Sequence, residues 1–271
     1  GNPKPSVKIL IFSFMCYIMP VIGFGIFASV QDSITGELIM RVFKSPVFYV
    51  YLLLVFTFPS LNHYTFMKKI CAYNRTEDSA EESNKFFKAY IITAFFMPLI
   101  INTIYPLVLE LSLGISFVSV TGQVLFFTIF ASIGLYSIPF YVLFKQKLCQ
   151  YMSYIPLPKN KKYLDLGVTF SSMAVSVMNA IGSGCILYSL CLAFLNQELN
   201  RFYYVLVTLC PTVLFCGMIT GLDATLLMRE KSKRINELQI FANCVAKGEY
   251  NSKPLAILSR DKFGILARDF N

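Results

Sequence analysis

The sequence predicts an all-α polytopic membrane protein, with six transmembrane helices, a helix-connector-helix tail and a dimeric state, and three observations lead there. Of its 271 residues 56% are hydrophobic and 14% charged, with a mean hydropathy of +0.60, whereas a soluble domain carries roughly a quarter charged residues. The charges also bunch, since 21 of the 24 Lys and Arg fall in 1–8, 67–88, 145–166, 229–234 and the last 37 residues. Between them lie six apolar runs that each meet the roughly 20 residues needed to cross a bilayer core. A soluble enzyme and a disulfide scaffold are thereby excluded. The net charge of +9 indicates basic residues retained on the cytoplasmic side of a lipid bilayer, with no nucleic acid as partner.

The runs are 9–30, 46–66, 87–109, 116–144, 167–194 and 202–228. The first is too long for a cleavable signal peptide and lacks a small-residue cleavage site, so it is read as a span. With the N terminus inside, the inner segments hold sixteen Lys and Arg and the outer loops only Arg41, Lys44 and Arg201. That imbalance predicts a multi-pass protein of the inner (cytoplasmic) membrane with both termini cytoplasmic. Outer loops of about 15, 7 and 7 residues leave no extracellular domain. Any stimulus, whether a lipid, a hydrophobic small molecule or a membrane protein, is then met within the bilayer or at its rim. The inner loop from Cys71 to Asn84 is acidic and polar, flanked by Lys68, Lys69, Lys85 and Lys88, and reads as a solvated helical hairpin or flexible connector. Pro156 and Pro158, beside Tyr151, Tyr154 and Tyr163, predict a stiff segment along the inner interface.

Within the spans, Pro20, Pro59, Pro98, Pro106, Pro139 and Pro211 place a proline in every helix except the fifth. Each removes a backbone hydrogen bond, either as a hinge or as a residue tolerated because its freed carbonyl finds another partner. In the fifth span Ser172, Ser176, Ala180 and Gly184 recur every four residues, a small-residue ladder that allows close helix approach. Its partner is a helix of the same chain or of a second subunit, with packing within the chain the preferred use. The eight cysteines show no Cys-x-x-Cys spacing and read as reduced packing residues, so no disulfide, metal or cofactor is expected. Ionisable groups inside spans are functional candidates because burying them is costly. Asp223 is expected either to pair with a basic residue such as Lys231 or to be hydrated, Glu110 to lie at a hydrated outer rim, and His63 to be a hydrogen-bonded packing residue. Asn102, Gln123 and Asn179 are expected to join helices by hydrogen bonds.

After Arg229 the composition changes. Ile235, Leu238, Ala242 and Val245 are spaced three, four and three apart, a coiled-coil seam. Gly248 stops this helix, a connector carrying Leu255 and Ile257 follows, and Ser259 to Asp261 offers an N-cap for a second stripe of Phe263, Leu266 and Phe270. A unit this small cannot bury its stripes without a second copy. These residues resemble a HAMP domain, the dimeric four-helix relay between membrane segments and cytoplasmic output modules. The resemblance rests on Gly248, Leu255, Ile257 and the run Ser259-Arg260-Asp261-x-Phe263-Gly264-x-Leu266-Ala267-x-x-Phe270-Asn271. Lys262 stands where the family usually has Glu, and the proline that often opens the first helix is missing before Ile235. The chain ends about halfway through the second helix of that module, so an output domain is expected beyond Asn271.

The expected organisation is a six-helix sensor domain, 1–228, and a HAMP relay, 229–271. Six spans followed by HAMP are similar to the membrane part of one group of bacterial class III adenylate or guanylate cyclases, and multi-span chemoreceptors share the layout. The resemblance implies a homodimeric sensor and signal transducer with no catalytic residue in these 271 positions. Asp223, Ile235, Leu238, Ala242, Val245, Gly248, Leu255, Ile257, Asp261, Gly264, Leu266 and Phe270 are the relay residues it implies. The stretch from Met228 to Ile235 contains no glycine or proline and predicts one continuous helix from membrane to tail. A transporter is the rival reading, favoured by the prolines and disfavoured by the lack of repeats and of buried ion-pair chains.

Overall fold

The computed structural model describes residues 3–29, 34–157, 167–195 and 205–246, and among these it is all-helical. Six helices are long and apolar enough to cross a membrane. They are α1 (Val7–Ser29), α3 (Pro46–Cys71), α4 (Glu77–Leu113), the rod formed by α5 (Val120–Ser132) and α6 (Ile138–Tyr151), α7 (Gly167–Leu195) and α8 (Cys210–Ala246). A short helix, α2 (Gly36–Lys44), joins the first two spans.

The rod of α5 and α6 is the spine: 72% of its most apolar window is buried, against 33% or less in every other span. On one side of it lie α1, α3 and α4, and on the other α7 and α8. A single wide turn, Ile133–Ser137, joins α5 to α6. The i→i−4 partner of the missing Pro139 N–H is Leu135, inside that turn, so the helix widens where the proline takes a donor away. The second wide turn, Val205–Leu209, precedes Pro211 in the same way.

Pro20 frees the carbonyl of Cys16, and that carbonyl accepts a hydrogen bond from Ser137 Oγ of the wide turn at 2.7 Å. The proline turn of α1 is thereby tied to the spine, which is how a membrane helix tolerates proline.

Three sequence expectations about the connections change. The stretch 31–45, read as an outer loop, contains α2, capped by Thr35 accepting from Leu38 N at 3.2 Å. Leu38 and Val42 are buried beneath it while Glu37, Arg41 and Lys44 stay exposed, so it lies as an amphipathic helix at that end of the bundle. Ser45 then closes α2 and caps α3, with Pro46 in the first turn. The polar stretch 71–84 is a helical hairpin and not a flexible connector, but it is less solvated than expected: α3 ends at Cys71, α4 begins at Glu77, capped by Thr76, and its Ala80, Ser83 and Asn84 are buried. Asn84 Nδ2 donates to the carbonyl of Pro156 at 3.0 Å, and Ile155 and Leu157 are buried too. The proline segment is therefore packed into the end of the bundle as far as Leu157 instead of lying along its surface.

Tyr151 Oη donates to the carbonyl of Pro3 at 3.0 Å, and Gln146 Nε2 of the same helix end donates to the carbonyl of Leu226 at 3.5 Å. The N-terminal segment and the outgoing end of α8 thus share one end of the bundle, opposite α2.

Candidate functional site

The last helix is the place where the bundle and the tail meet. α8 runs from Cys210 to Ala246 without a break, 37 residues or roughly 55 Å at 1.5 Å per residue. Good helix formers fill Arg229 to Arg234 and no glycine or proline interrupts them, so side-chain phase carries from the bundle into the tail.

One face of α8 packs inward, through Thr212, Cys216, Asp223 and Leu227. Asp223 is 1% exposed, away from the hydrated interface, and makes no described ion pair with Lys231, which is exposed on another face. Its Oδ2 accepts instead from Asn179 Nδ2 of α7 at 2.8 Å. Asn179 is itself buried, and Asp223 Oδ1 and Asn179 Oδ1 have no hydrogen-bond partner among the described residues. The pairing with a basic residue fails because Lys231 follows eight residues later, about 80° around the helix from Asp223. Nearer the α2 end, Phe215 of α8 packs against Tyr136 of the wide turn, ring centroids 5.8 Å apart, and both meet Phe27 of α1.

The other face of α8 is unpartnered. Leu214, Met228 and Ile235 are 66%, 68% and 54% exposed, and Gly217, Gly221, Ala224 and Ala242 are exposed as well. Leu214, Gly221, Met228, Ile235 and Ala242 recur every seven residues, and Gly217, Ala224, Lys231, Leu238 and Val245 follow each by three. This is one a/d register running from the membrane half of α8 to the tail. The sequence reading found only its lower half, because glycines in an apolar run carry no hydrophobic signal. Of the relay residues, the structure gives side-chain positions for Asp223, Ile235 and Ala242. The side chains of Leu238 and Val245, and all of Gly248, Leu255, Ile257, Asp261, Gly264, Leu266 and Phe270, lie outside the described residues.

The small-residue ladder of α7 does not pack within the chain. Ser172 is half-buried, while Ser176, Ala180 and Gly184 are exposed, and a Cβ built on Gly184 would meet nothing. The face that packs is Val175, Asn179, Gly182, Ile186, Ser189 and Ala193, whose larger residues a search for small ones passes over. Ser189 Oγ lies 2.9 Å from Thr128 Oγ1 of α5, and Tyr188 Oη donates to Gln123 Oε1 at 3.0 Å.

Glu110 is also misplaced by the sequence. It is 2% exposed and neither carboxylate oxygen has a hydrogen-bond partner among the described residues. α4 continues about a further turn to Leu113 before Gly114 ends it at φ 68°, so Glu110 lies inside the helix and not at its rim. His63 packs as expected, Nδ1 3.0 Å from Tyr90 Oη. Asn102 accepts from Tyr51 Oη of α3 at 2.5 Å. Among the described residues no cluster of His, Cys, Asp or Glu could hold a metal, and the described cysteines are free thiols.

No known family, curated protein or solved structure matches the chain.

Proposed function

We propose that this chain is the membrane part of a homodimeric sensor and signal transducer, in which the six-helix unit sets the position of α8 and α8 sets the packing of a HAMP tail. The output is a nucleotide cyclase module following the tail. The observation that carries the reading is α8 itself: one face clasped to the bundle through Asp223 and Asn179, the other presenting an uncovered a/d register that continues beyond the bundle. A stimulus that tilts, rotates or shifts such a helix has a rigid route to the tail. Both termini are cytoplasmic on the sixteen-to-three charge count, which puts α2 at the outer surface. A methyl-accepting chemoreceptor would use the same layout with a different output.

The test joins a class III cyclase catalytic module after Asn271 and measures cyclic nucleotide formation in liposomes, with ion and solute flux followed in parallel. Cyclase activity that depends on the membrane helices, with flux equal to that of empty liposomes, is the expected result. Saturable flux with cyclase activity indifferent to the membrane helices would make the protein a transporter.

A further inference from the structure

Asp223 and Asn179 stand between two apolar layers of the bundle. Leu227, one turn after Asp223 on α8, and Val175, one turn before Asn179 on α7, pack with Ile138 and Val142 of α6. Ile219, one turn before Asp223, packs against the cluster of Leu135, Ile186 and Cys216. Both polar side chains are almost wholly buried, at 1% and 2% exposed. On the elements packed against α8, the ionisable groups within one turn of these contacts are Tyr136 of the wide turn, Tyr141 and Lys145 of α6, and Cys185 and Tyr188 of α7. They include no carboxyl and one cation, Lys145. On α8 itself Cys216 precedes the pair, and Arg229, the first basic residue after it, is exposed and six residues or roughly 9 Å further on.

An ionised Asp223 would rest its charge in this layer on the neutral N–H of Asn179 Nδ2, and a buried carboxylate so sparsely solvated is costly. It would also leave Asp223 Oδ1 and Asn179 Oδ1 without a donor, and neither has one among the described residues. One proton answers both. A carboxylic acid gains an O–H donor and keeps an acceptor. Protonated at Oδ1, Asp223 accepts from Asn179 Nδ2 and donates to Asn179 Oδ1, two parallel bonds between two planar groups. We infer that Asp223 and Asn179 form a proton-binding site, in which the neutral acid clasps α8 to α7 and loss of the proton opens the clasp. The O–H bond forms at Asp223 Oδ1 with a proton taken from water, and breaks by returning it there.

The inference deepens the sensor reading by naming protonation as the stimulus, and it rests on that reading only for the effect on output. The clasped state holds one proton more than the open state, in which the carboxylate reaches water, so raising the pH favours release. A released α8 is free to turn the tail.

Infrared difference spectroscopy of the full chain in dodecyl maltoside micelles reads the proton directly, because a protonated carboxyl absorbs apart from carboxylates and amides. At a pH where exposed carboxyls are already ionised, the wild type should show a protonated carboxyl band that is lost in Asp223→Asn. The band should persist in Glu110→Gln, which removes the other buried acid among the described residues. It should move to higher frequency in Asn179→Leu, where the acid loses its partner, and fade reversibly as the pH rises. Asp223→Asn cannot titrate, yet its amide can make the same two bonds to Asn179. It should therefore fold as the wild type does by circular dichroism and hold the output of the cyclase chimera at its low-pH level at every pH. Absence of an Asp223-dependent band would overturn the site and mean a carboxylate kept ionised by a cation such as Lys145. A band that Asn179→Leu leaves at the same frequency would overturn the pairing. The band is read without the tail, so a band that behaves as expected beside cyclase output indifferent to pH would count against the sensor reading and not against the site.

Discussion

Gly134 of the wide turn and Gly182 of α7 meet backbone to backbone: a Cβ on Gly134 would stand 2.9 Å from Gly182 Cα, and one on Gly182 3.1 Å from Gly134 Cα. Neither space can be made by swinging a side chain aside, because the obstacles are main-chain atoms. Gly182→Leu is therefore expected to destabilise the bundle by about 1 to 3 kcal/mol through overpacking. Gly184→Leu, two residues on but facing outward, should stay within about 0.5 kcal/mol of wild type. Unfolding in detergent, followed by circular dichroism, compares the two. Equal losses would mean that the ladder face is packed after all.

The Asp223–Asn179 bond predicts a coupled pair. Asn179→Leu leaves both Asp223 oxygens buried without a donor and should cost about 1 to 3 kcal/mol. Removing both polar groups, in Asn179→Leu with Asp223→Leu, should recover most of that, with a coupling energy of about 0.6 to 2 kcal/mol, the range of hydrogen bonds between membrane helices. A double-mutant cycle on the same unfolding assay gives the number. Strict additivity would mean that the two side chains do not hold α8 to α7.

The six spans were legible because each needs only a long apolar run, and runs survive any error in detail. The features that build the site were not, for particular reasons. For Asp223 the sequence offers a basic residue of the inner end or hydration, but its partner Asn179 lies 44 residues away and only tertiary packing brings it there. The ladder Ser172 to Gly184 shows from residue size that a helix can approach closely but not which one: within the chain the bundle buries the face bearing Asn179 and Ser189, where hydrogen bonds to neighbouring helices are available, and the ladder stays open to a second subunit. Glycine has no side chain to register in a hydropathy pattern, so Gly217 and Gly221 disappeared into an apolar run although they continue the tail seam upward.

That continuation predicts where two chains meet. In a background lacking the eight native cysteines, single cysteines at Gly221, Met228, Ile235 and Ala242 should all form disulfide-linked dimers in membranes. Leu222, Arg229 and Asn236, each one residue on and about 100° around the helix, should crosslink far less. Leu222 is the decisive control, being apolar and 51% exposed yet off the register. If it crosslinked as well as Gly221, general lipid-facing collision would explain the result and the seam would be limited to the tail.

The unbroken helix across Arg229-Glu230-Lys231-Ser232-Lys233-Arg234 makes the last prediction, because rigidity there is what links bundle to tail. Each residue inserted after Lys233 turns everything below it by about 100°. One insertion should move the crosslinking maximum in the tail away from Ile235 and Ala242 while leaving the pattern at Gly221 and Met228 intact, and should change the basal output of the cyclase chimera. Seven residues amount to two turns less about 20°, so both the crosslinking pattern and the output should return most of the way. Three and four, near one turn on either side, should fall between. A helix that transmits by phase has to show this period. If output followed the number of inserted residues without it, the linker would act by length alone, and if no insertion altered output at all, the bundle would be an anchor and α8 its tether.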